Sequence, residues 1–198
     1  RRRQIMVATS SIGPGATNMV TAAAAALANR LPLLILSGDT FGSRVPDPVL
    51  QQIEHPGSPS TTVNDAFRPV TRYWDRIVSP EQVAQSLPLA VETMLDPADC
   101  GPAFIGLPQD VQVEAFDYPV RLFEPRIHSL RRPRPDRRQL EQAAALLRAA
   151  QRPLVVAGGG VHYSLAEEEL RGFVEQHGLP VVETMAGKAC LTADHPAW

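Results

Sequence analysis

The chain has 198 residues, 44% of them hydrophobic and 20% charged, with a formal net charge of −2. This composition excludes wholesale disorder, and the near balance of charge excludes a nucleic-acid partner recruited by bulk basicity. Aromatic residues make up 6% of the chain, too few for a base-stacking surface.

Apolar runs such as 31–36 are far shorter than the ~20 residues that span a bilayer, so no membrane partner is expected. Arg1, Arg2 and Arg3 are followed by no apolar targeting segment and read as a solvated face. Cys100 and Cys190 have neither disulfide-framework nor zinc spacing, and two isolated thiols fit a reducing, cytoplasmic setting. The first residue is not Met and the chain ends without a turn signal, so it is expected to be part of a longer protein.

In chain order, 5–8 reads as a short buried strand, and Gly13-Pro14-Gly15 as a tight turn. A helix is expected over 16–30, closed by Pro32, and a second buried strand over 33–37. Residues 41–62 read as a long Pro-, Gly- and Ser-rich loop after a strand end, with a short helix expected over 48–54. In α/β proteins such loops line ligand sites. The stretch 63–77 mixes a short strand or turn with aromatic packing. Ser79-Pro80-Glu81 starts a helix running to about Leu95, with Ser79 as its N-cap, and 103–107 is a third buried strand.

The Arg- and Pro-rich stretch that follows reads as a linker. Beyond it, Asp136 caps a helix to about Ala150, and 154–157 is a strand. Gly158-Gly159-Gly160 is a turn, Ser164 caps a helix ended by Gly178, and 180–183 is a strand. The fold class is therefore α/β with parallel sheets in two incomplete pieces: residues 1–120, a linker over 121–135, and residues 136–198.

Taken locally, Ser11-Ile12-Gly13-Pro14-Gly15-Ala16-Thr17-Asn18 is either a phosphate-cradling turn or a plain strand-to-helix turn. It is not a Walker loop, because no Lys-Ser/Thr follows. Gly158-Gly159-Gly160 resembles a dinucleotide turn, but Tyr163 stands where the third glycine belongs. Glu183, 23 positions after Gly160, sits near the place of a ribose-binding acid. A non-catalytic nucleotide-binding module is thus one reading of the second unit, and a relic turn serving packing is the other. His55, His128, His162, His177 and His195 show no ligand spacing and read as surface or capping residues.

The motif Ser-x-Gly-Pro-Gly-Ala-Thr-Asn, its Ala-rich helix and Leu31-Pro32 leading to Gly38-Asp39 resemble the pyrimidine-binding domain of thiamine-diphosphate enzymes such as acetolactate synthase. The linker and glycine-rich second unit resemble the start of that family's Rossmann-like central domain. Within the superfamily, Asn64-Asp65-Ala66-Phe67-Arg68, Arg72-Tyr73-Trp74-Asp75-Arg76 and Glu183-Thr184-x-Ala186-Gly187-Lys188 resemble the trihydroxycyclohexanedione hydrolases of inositol catabolism.

The resemblance implies a homo-oligomeric, thiamine-diphosphate-dependent hydrolase of C–C bonds. It would open the ring of 3D-(3,5/4)-trihydroxycyclohexane-1,2-dione to 5-deoxy-glucuronate, and an acetolactate synthase-like carboligase or decarboxylase of 2-keto acids is the alternative. By the same resemblance Gly13, Pro14 and Asn18 lie against the aminopyrimidine, and Gln51 approaches it from the loop. The Mg²⁺ and diphosphate site lies outside the chain, as does the catalytic glutamate, expected upstream of residue 1. Catalysis by this segment alone is therefore not expected. Arg44, Asp47 and Asn64 are candidates to meet a polyhydroxylated substrate, with Asp65 and Arg72 in similar roles; loop solvation and ion pairing are the alternative for these residues.

Overall fold

The computed structural model describes residues 4–44, 51, 53, 55, 57–129 and 133–197. The chain divides into two compact units, Arg1–Leu130 and Arg131–Trp198, each with its own core.

Unit 1 is a four-stranded, all-parallel sheet in the order β1-β2-β4-β3, with β1 Met6–Ser10, β2 Leu33–Asp39, β3 Tyr73–Arg76 and β4 Ala103–Pro108. Parallel strands need both faces covered, and alternation along the inner strands does this. Leu34, Ala103 and Ile105 point to one face, where α3 (Val83–Leu95) lays down Ala90 and Met94. Ile35 and Phe104 point to the other, against Ala16, Ala23 of α2 (Val20–Ala28) and Phe67. Small alanines let α2 approach closely. Phe104 is fully buried and stacks on Phe67, with centroids 4.4 Å apart, and on Trp74 at 6.0 Å. The outer strand β1 leaves Met6 and Val7 largely exposed.

Two local expectations for this unit need correction, and the short strand with aromatic packing over 63–77 gains a 3-10 helix. The helix expected over 16–30 is broken: α1 (Pro14–Thr17) is a single turn, and α2 starts after a turn at Asn18 and Met19. The stretch after Thr62 is a 3-10 helix, Val63–Val70, followed by β3. Its start is fixed by a capping box, in which the Thr62 hydroxyl accepts from Asn64 N–H and the Asp65 carboxylate accepts from Thr62 N–H. Ser79 places Pro80 in a first 3-10 turn without a side-chain bond to the helix end; instead Gln82 Oε1 accepts from Val78 N–H. The short helix expected over 48–54 lies largely outside the described residues.

Unit 2 pairs β5 (Val155–Ala157) with β6 (Val181–Glu183) in parallel. Asp136 caps α4 (Arg137–Ala149) by accepting from Gln139 N–H, and Gly178 ends α6 (Glu167–His177) at φ +60. The glycines after β5 are not a free turn: α5 (Gly159–Ser164) starts among them, and Leu165 ends it in the left-handed region. Ser164 is thus the last residue of one helix rather than the cap of the next. Val174, Ala157, Leu179, Val181, Cys190 and Leu191 form the core.

Removing the Phe104 ring should leave a cavity between the sheet and the Phe67 ring. Phe104→Ala is expected to cost about 3–5 kcal/mol, read as a lower denaturant midpoint for unit 1.

Candidate functional site

In a parallel sheet the loops after the strand C-termini gather at one edge, and ligand sites form there. In unit 1 these are the Gly-Pro-Gly turn after β1, the loop from Thr40 after β2, Ile77 onward after β3, and Asp110 after β4.

Gly13 adopts φ +70, ψ −127, a conformation that L side chains rarely take. A Cβ placed there would lie 1.8 Å from the Gln51 carbonyl oxygen, so the backbone at Gln51 presses directly onto the turn. Pro14 and Asn18 are both exposed, and their four-residue spacing on the turn brings them to one side. Gly13, Pro14 and Gln51 are therefore brought together, with Asn18 beside Pro14. An exposed proline ring, a nearby amide and a close backbone approach fit a flat heteroaromatic ring.

The charged part of this edge is an ion-pair network that the sequence reading did not assemble. Asp39, at the end of β2, is fully buried, and its Oδ2 accepts from Arg76 Nε at 2.7 Å. These two strands are not neighbours, because β4 lies between them. The pair passes over Gly106, where a Cβ would stand 2.7 Å from Asp39 Oδ2. Arg76 also donates to Thr62 Oγ1 at 2.7 Å, Asp65 Oδ2 at 2.9 Å and the Ser60 carbonyl at 3.2 Å. Burial disfavours the Arg76 charge, but the carboxylates of Asp39 and then Asp65 outweigh it and hold its pKa above the ordinary value. Burial likewise pushes Asp65 up; hydrogen bonds from Arg68, Thr62 N–H and Arg76 win, and its pKa falls below the usual range.

Asp110 fastens the loop after β2. Its Oδ1 accepts from Gly42 N–H and its Oδ2 from Ser43 N–H, both at 2.8 Å. Partial burial would raise its pKa, but the N–H groups of Ser43 and Gly42 outweigh that and lower it. The anchored turn presents Arg44, exposed and at φ +57, next to this edge.

The other substrate candidates fare differently. Asp47 lies outside the described residues. Asn64 is fully buried rather than facing a ligand: its Nδ2 donates to the Gly38 carbonyl at 2.8 Å, and its backbone carbonyl accepts from Trp74 Nε1. Its Oδ1 is buried without a hydrogen-bond partner. Asp65 is spent on the capping box and two arginines. Arg72 precedes β3, so it stands at the N-terminal edge of the sheet, where its N–H donates to the Pro102 carbonyl. A cleft there is lined by Arg72, Glu92, Asp96 and Asp99, remote from the Gly-Pro-Gly turn.

In unit 2 the dinucleotide reading meets obstacles. A Cβ on Gly159 would be 3.3 Å from Ala186, and Gly187 packs on the Ala157 carbonyl, so the 184–187 segment covers the glycines. Glu183 is not open to a ribose: its two carboxylate oxygens accept from Ala189 and Leu191 N–H, each at 3.0 Å. His162 and His195 are not surface histidines; each is largely buried and bonded to a glutamate. Among the described residues no group of three His, Cys, Asp or Glu side chains is arranged to hold a metal, and no helix is long and apolar enough to cross a membrane.

Residues 140–198 match the family described as thiamine pyrophosphate enzyme, central domain. Over 98% of its length the chain is 53% identical to a 3D-(3,5/4)-trihydroxycyclohexane-1,2-dione hydrolase of Shouchella clausii. Proteins of the same name from Halalkalibacterium halodurans and Listeria monocytogenes are 53% and 50% identical over 97% and 98% of the chain. The chain is thus similar to these hydrolases along nearly its whole length, and its last third to that family. It spans 30% of the length of each of these curated relatives. The fold is also that of a Rhodococcus jostii RHA1 thiamine diphosphate-dependent 4-hydroxybenzoylformate decarboxylase, with TM-score 0.73 and 20% identity over 91% of this chain and 33% of that one.

Two outcomes test the network. Arg76→Met should strand the buried Asp39 carboxylate and cost about 3–5 kcal/mol. Gly106→Ala, normally a mild change in a strand, should also destabilise, by about 1–3 kcal/mol, because its methyl meets Asp39. Calorimetry or denaturant titration reads both.

The lowered pKa values of Asp65 and Asp110 set the acid behaviour. A carboxylate depressed in the folded state adds stability in full above its unfolded value, about pH 4, and loses it as pH falls through the folded value. Asp65→Asn and Asp110→Asn should therefore lower stability at pH 7 and flatten its decline below about pH 4, measured as denaturant midpoint against pH.

Proposed function

We propose that this chain is part of a cytoplasmic, homo-oligomeric, thiamine-diphosphate- and Mg²⁺-dependent hydrolase of C–C bonds. Its substrate would be 3D-(3,5/4)-trihydroxycyclohexane-1,2-dione and its product 5-deoxy-glucuronate, as a step of inositol catabolism. The observation that carries this reading is identity near 50% with trihydroxycyclohexanedione hydrolases along 98% of the chain. The close approach of Gln51 to Gly13 supports the cofactor side of it. On this reading residues 1–120 belong to the pyrimidine-binding domain, 121–135 link, and 136–198 begin the central domain.

When bound, the cofactor supplies an electron sink for the carbanion released by C–C cleavage. The chain's own part is placement. Pro14 would offer an apolar surface to the aminopyrimidine ring and Asn18 an amide beside it, with the Gln51 backbone packed against Gly13 close by. Arg44 and Asp47 are the groups assigned to substrate hydroxyls, with the guanidinium suited to the oxyanion that develops on ring opening. The diphosphate, the Mg²⁺ and the catalytic glutamate fall to residues outside this segment.

The test uses the full-length protein with thiamine diphosphate and Mg²⁺, following loss of the cyclic dione beside consumption of pyruvate. Cofactor-dependent ring opening with pyruvate untouched is the expected result. Pyruvate turnover without ring opening would transfer the protein to the 2-keto-acid carboligases or decarboxylases. In the same protein Gly13→Ala should weaken thiamine diphosphate binding by about tenfold or more, read by calorimetric titration, because the new methyl displaces the Gln51 backbone.

A further inference from the structure

Unit 2 holds a cluster of reactive side chains that the proposed hydrolase reading does not use. Cys190 Sγ lies 3.4 Å from His162 Nε2, and His162 Nδ1 lies 2.9 Å from Glu167 Oε1. Thiol, imidazole and carboxylate thus stand in a row, with the carboxylate orienting the ring and the ring beside the sulfur. This is the order in which a nucleophile, a base and an orienting group are arranged for thiol activation. The three come from different places: α5 supplies His162, the first turn of α6 supplies Glu167, and the loop after β6 supplies Cys190.

His162 Nε2 also faces the Lys188 carbonyl oxygen at 3.1 Å. The Glu167 carboxylate can only accept, so it takes the Nδ1 proton and fixes the ring with Nε2 beside the sulfur. Cys100 provides the contrast. It is equally buried, but its thiol donates to the Met94 and Arg30 carbonyls at 3.1 and 3.3 Å, whereas Cys190 Sγ meets the Gly158 carbonyl at the longer distance of 3.9 Å. Cys190 is itself 5% exposed, yet the residues before it, Lys188 and Ala189, are exposed. The backbone on either side of Cys190 is clamped by Glu183, through Ala189 N–H and Leu191 N–H.

We propose that Cys190, paired with His162 and oriented by Glu167, is a nucleophile open to modification by hydroperoxides. The thiol passes its proton to His162 Nε2 as the sulfur attacks the terminal peroxide oxygen; an S–O bond forms and the O–O bond breaks. Two electrons pass from sulfur to the peroxide. The departing alkoxide or hydroxide takes that proton from His162 Nε2, leaving a sulfenic acid and an alcohol or water. Glu167 is a positioning residue that acts through His162.

The experiment exposes the native full-length protein, reduced beforehand, to iodoacetamide and maps alkylation at both cysteines by peptide mass spectrometry. Cys190 should react at least tenfold faster than Cys100. His162→Asn should slow Cys190 about tenfold with Cys100 unchanged, and Glu167→Gln, which keeps a hydrogen bond but removes the charge, should slow it by a smaller factor. A single equivalent of hydrogen peroxide should yield a dimedone adduct at Cys190 and none at Cys100. Equal rates at the two cysteines, silence at Cys190, or a Cys190 rate unchanged by His162→Asn would overturn the proposal. If His162→Asn accelerates both cysteines by loosening the fold, Glu167→Gln decides: a slower Cys190 supports the proposal and an unchanged one overturns it.

Discussion

The edge of unit 1 at the C-terminal ends of its strands depends on one ion pair drawn across a missing side chain. Asp39 and Arg76 sit on strands separated by β4, and they meet because Gly106 leaves the intervening position bare. Burying a carboxylate completely is costly unless it is paired and hydrogen-bonded. Here the guanidinium pairs it, and the Thr40 N–H fills a second acceptor site. The remaining donors of Arg76 reach Ser60, Thr62 and Asp65, so the same cation ties β2, β3 and the start of the 3-10 helix together. That helix in turn holds Asn64 against the Gly38 carbonyl, beside the turn that carries Gly13.

The apolar core serves the same end. Helix α2 is Ala-rich and short-sided, so it can lie close on Ile35 and Phe104. The single-turn α1 before it then carries Pro14 and Asn18 out to the edge, where both are exposed. A continuous helix over 16–30 would have kept α1 and α2 on one axis. The break at Asn18 and Met19 lets the first turn be aimed separately from the helix that covers the sheet.

Much of this was legible in the sequence where local chemistry is strong. Strands β1, β2 and β4 announce themselves as apolar runs, Gly13-Pro14-Gly15 as a tight turn, and Asp136 and Gly178 as helix ends, because each signal lies within a few residues. Strand β3 is legible only as one of two readings, strand or turn, since Tyr73-Trp74-Asp75-Arg76 has no apolar alternation and is half-buried along its length. The 3-10 helix was masked by Pro69, although Thr62 and Asp65 at capping-box spacing mark its start. In unit 2 the three glycines read as a turn because glycine disfavours helix; cover from Ala186 and Gly187 overrides that local preference. Partners such as Asp39 and Arg76, 37 positions apart, leave no local trace at all, and neither does the pairing of His162 with Cys190.

The loop anchored by Asp110 completes an electrostatic balance at this edge. The carboxylates of Asp39, Asp65 and Asp110 are matched by the guanidiniums of Arg76, Arg68 and Arg44. Most of them are already committed: Arg76 to Asp39 and Asp65, Arg68 to Asp65 and the face of Trp74, and Asp110 to backbone N–H groups. Among the described residues, charges so paired project little net field into solvent and do little to steer a charged molecule from a distance. What they offer is contour and fixed dipoles, a surface that discriminates by fit at contact range, with the exposed Arg44 beside it.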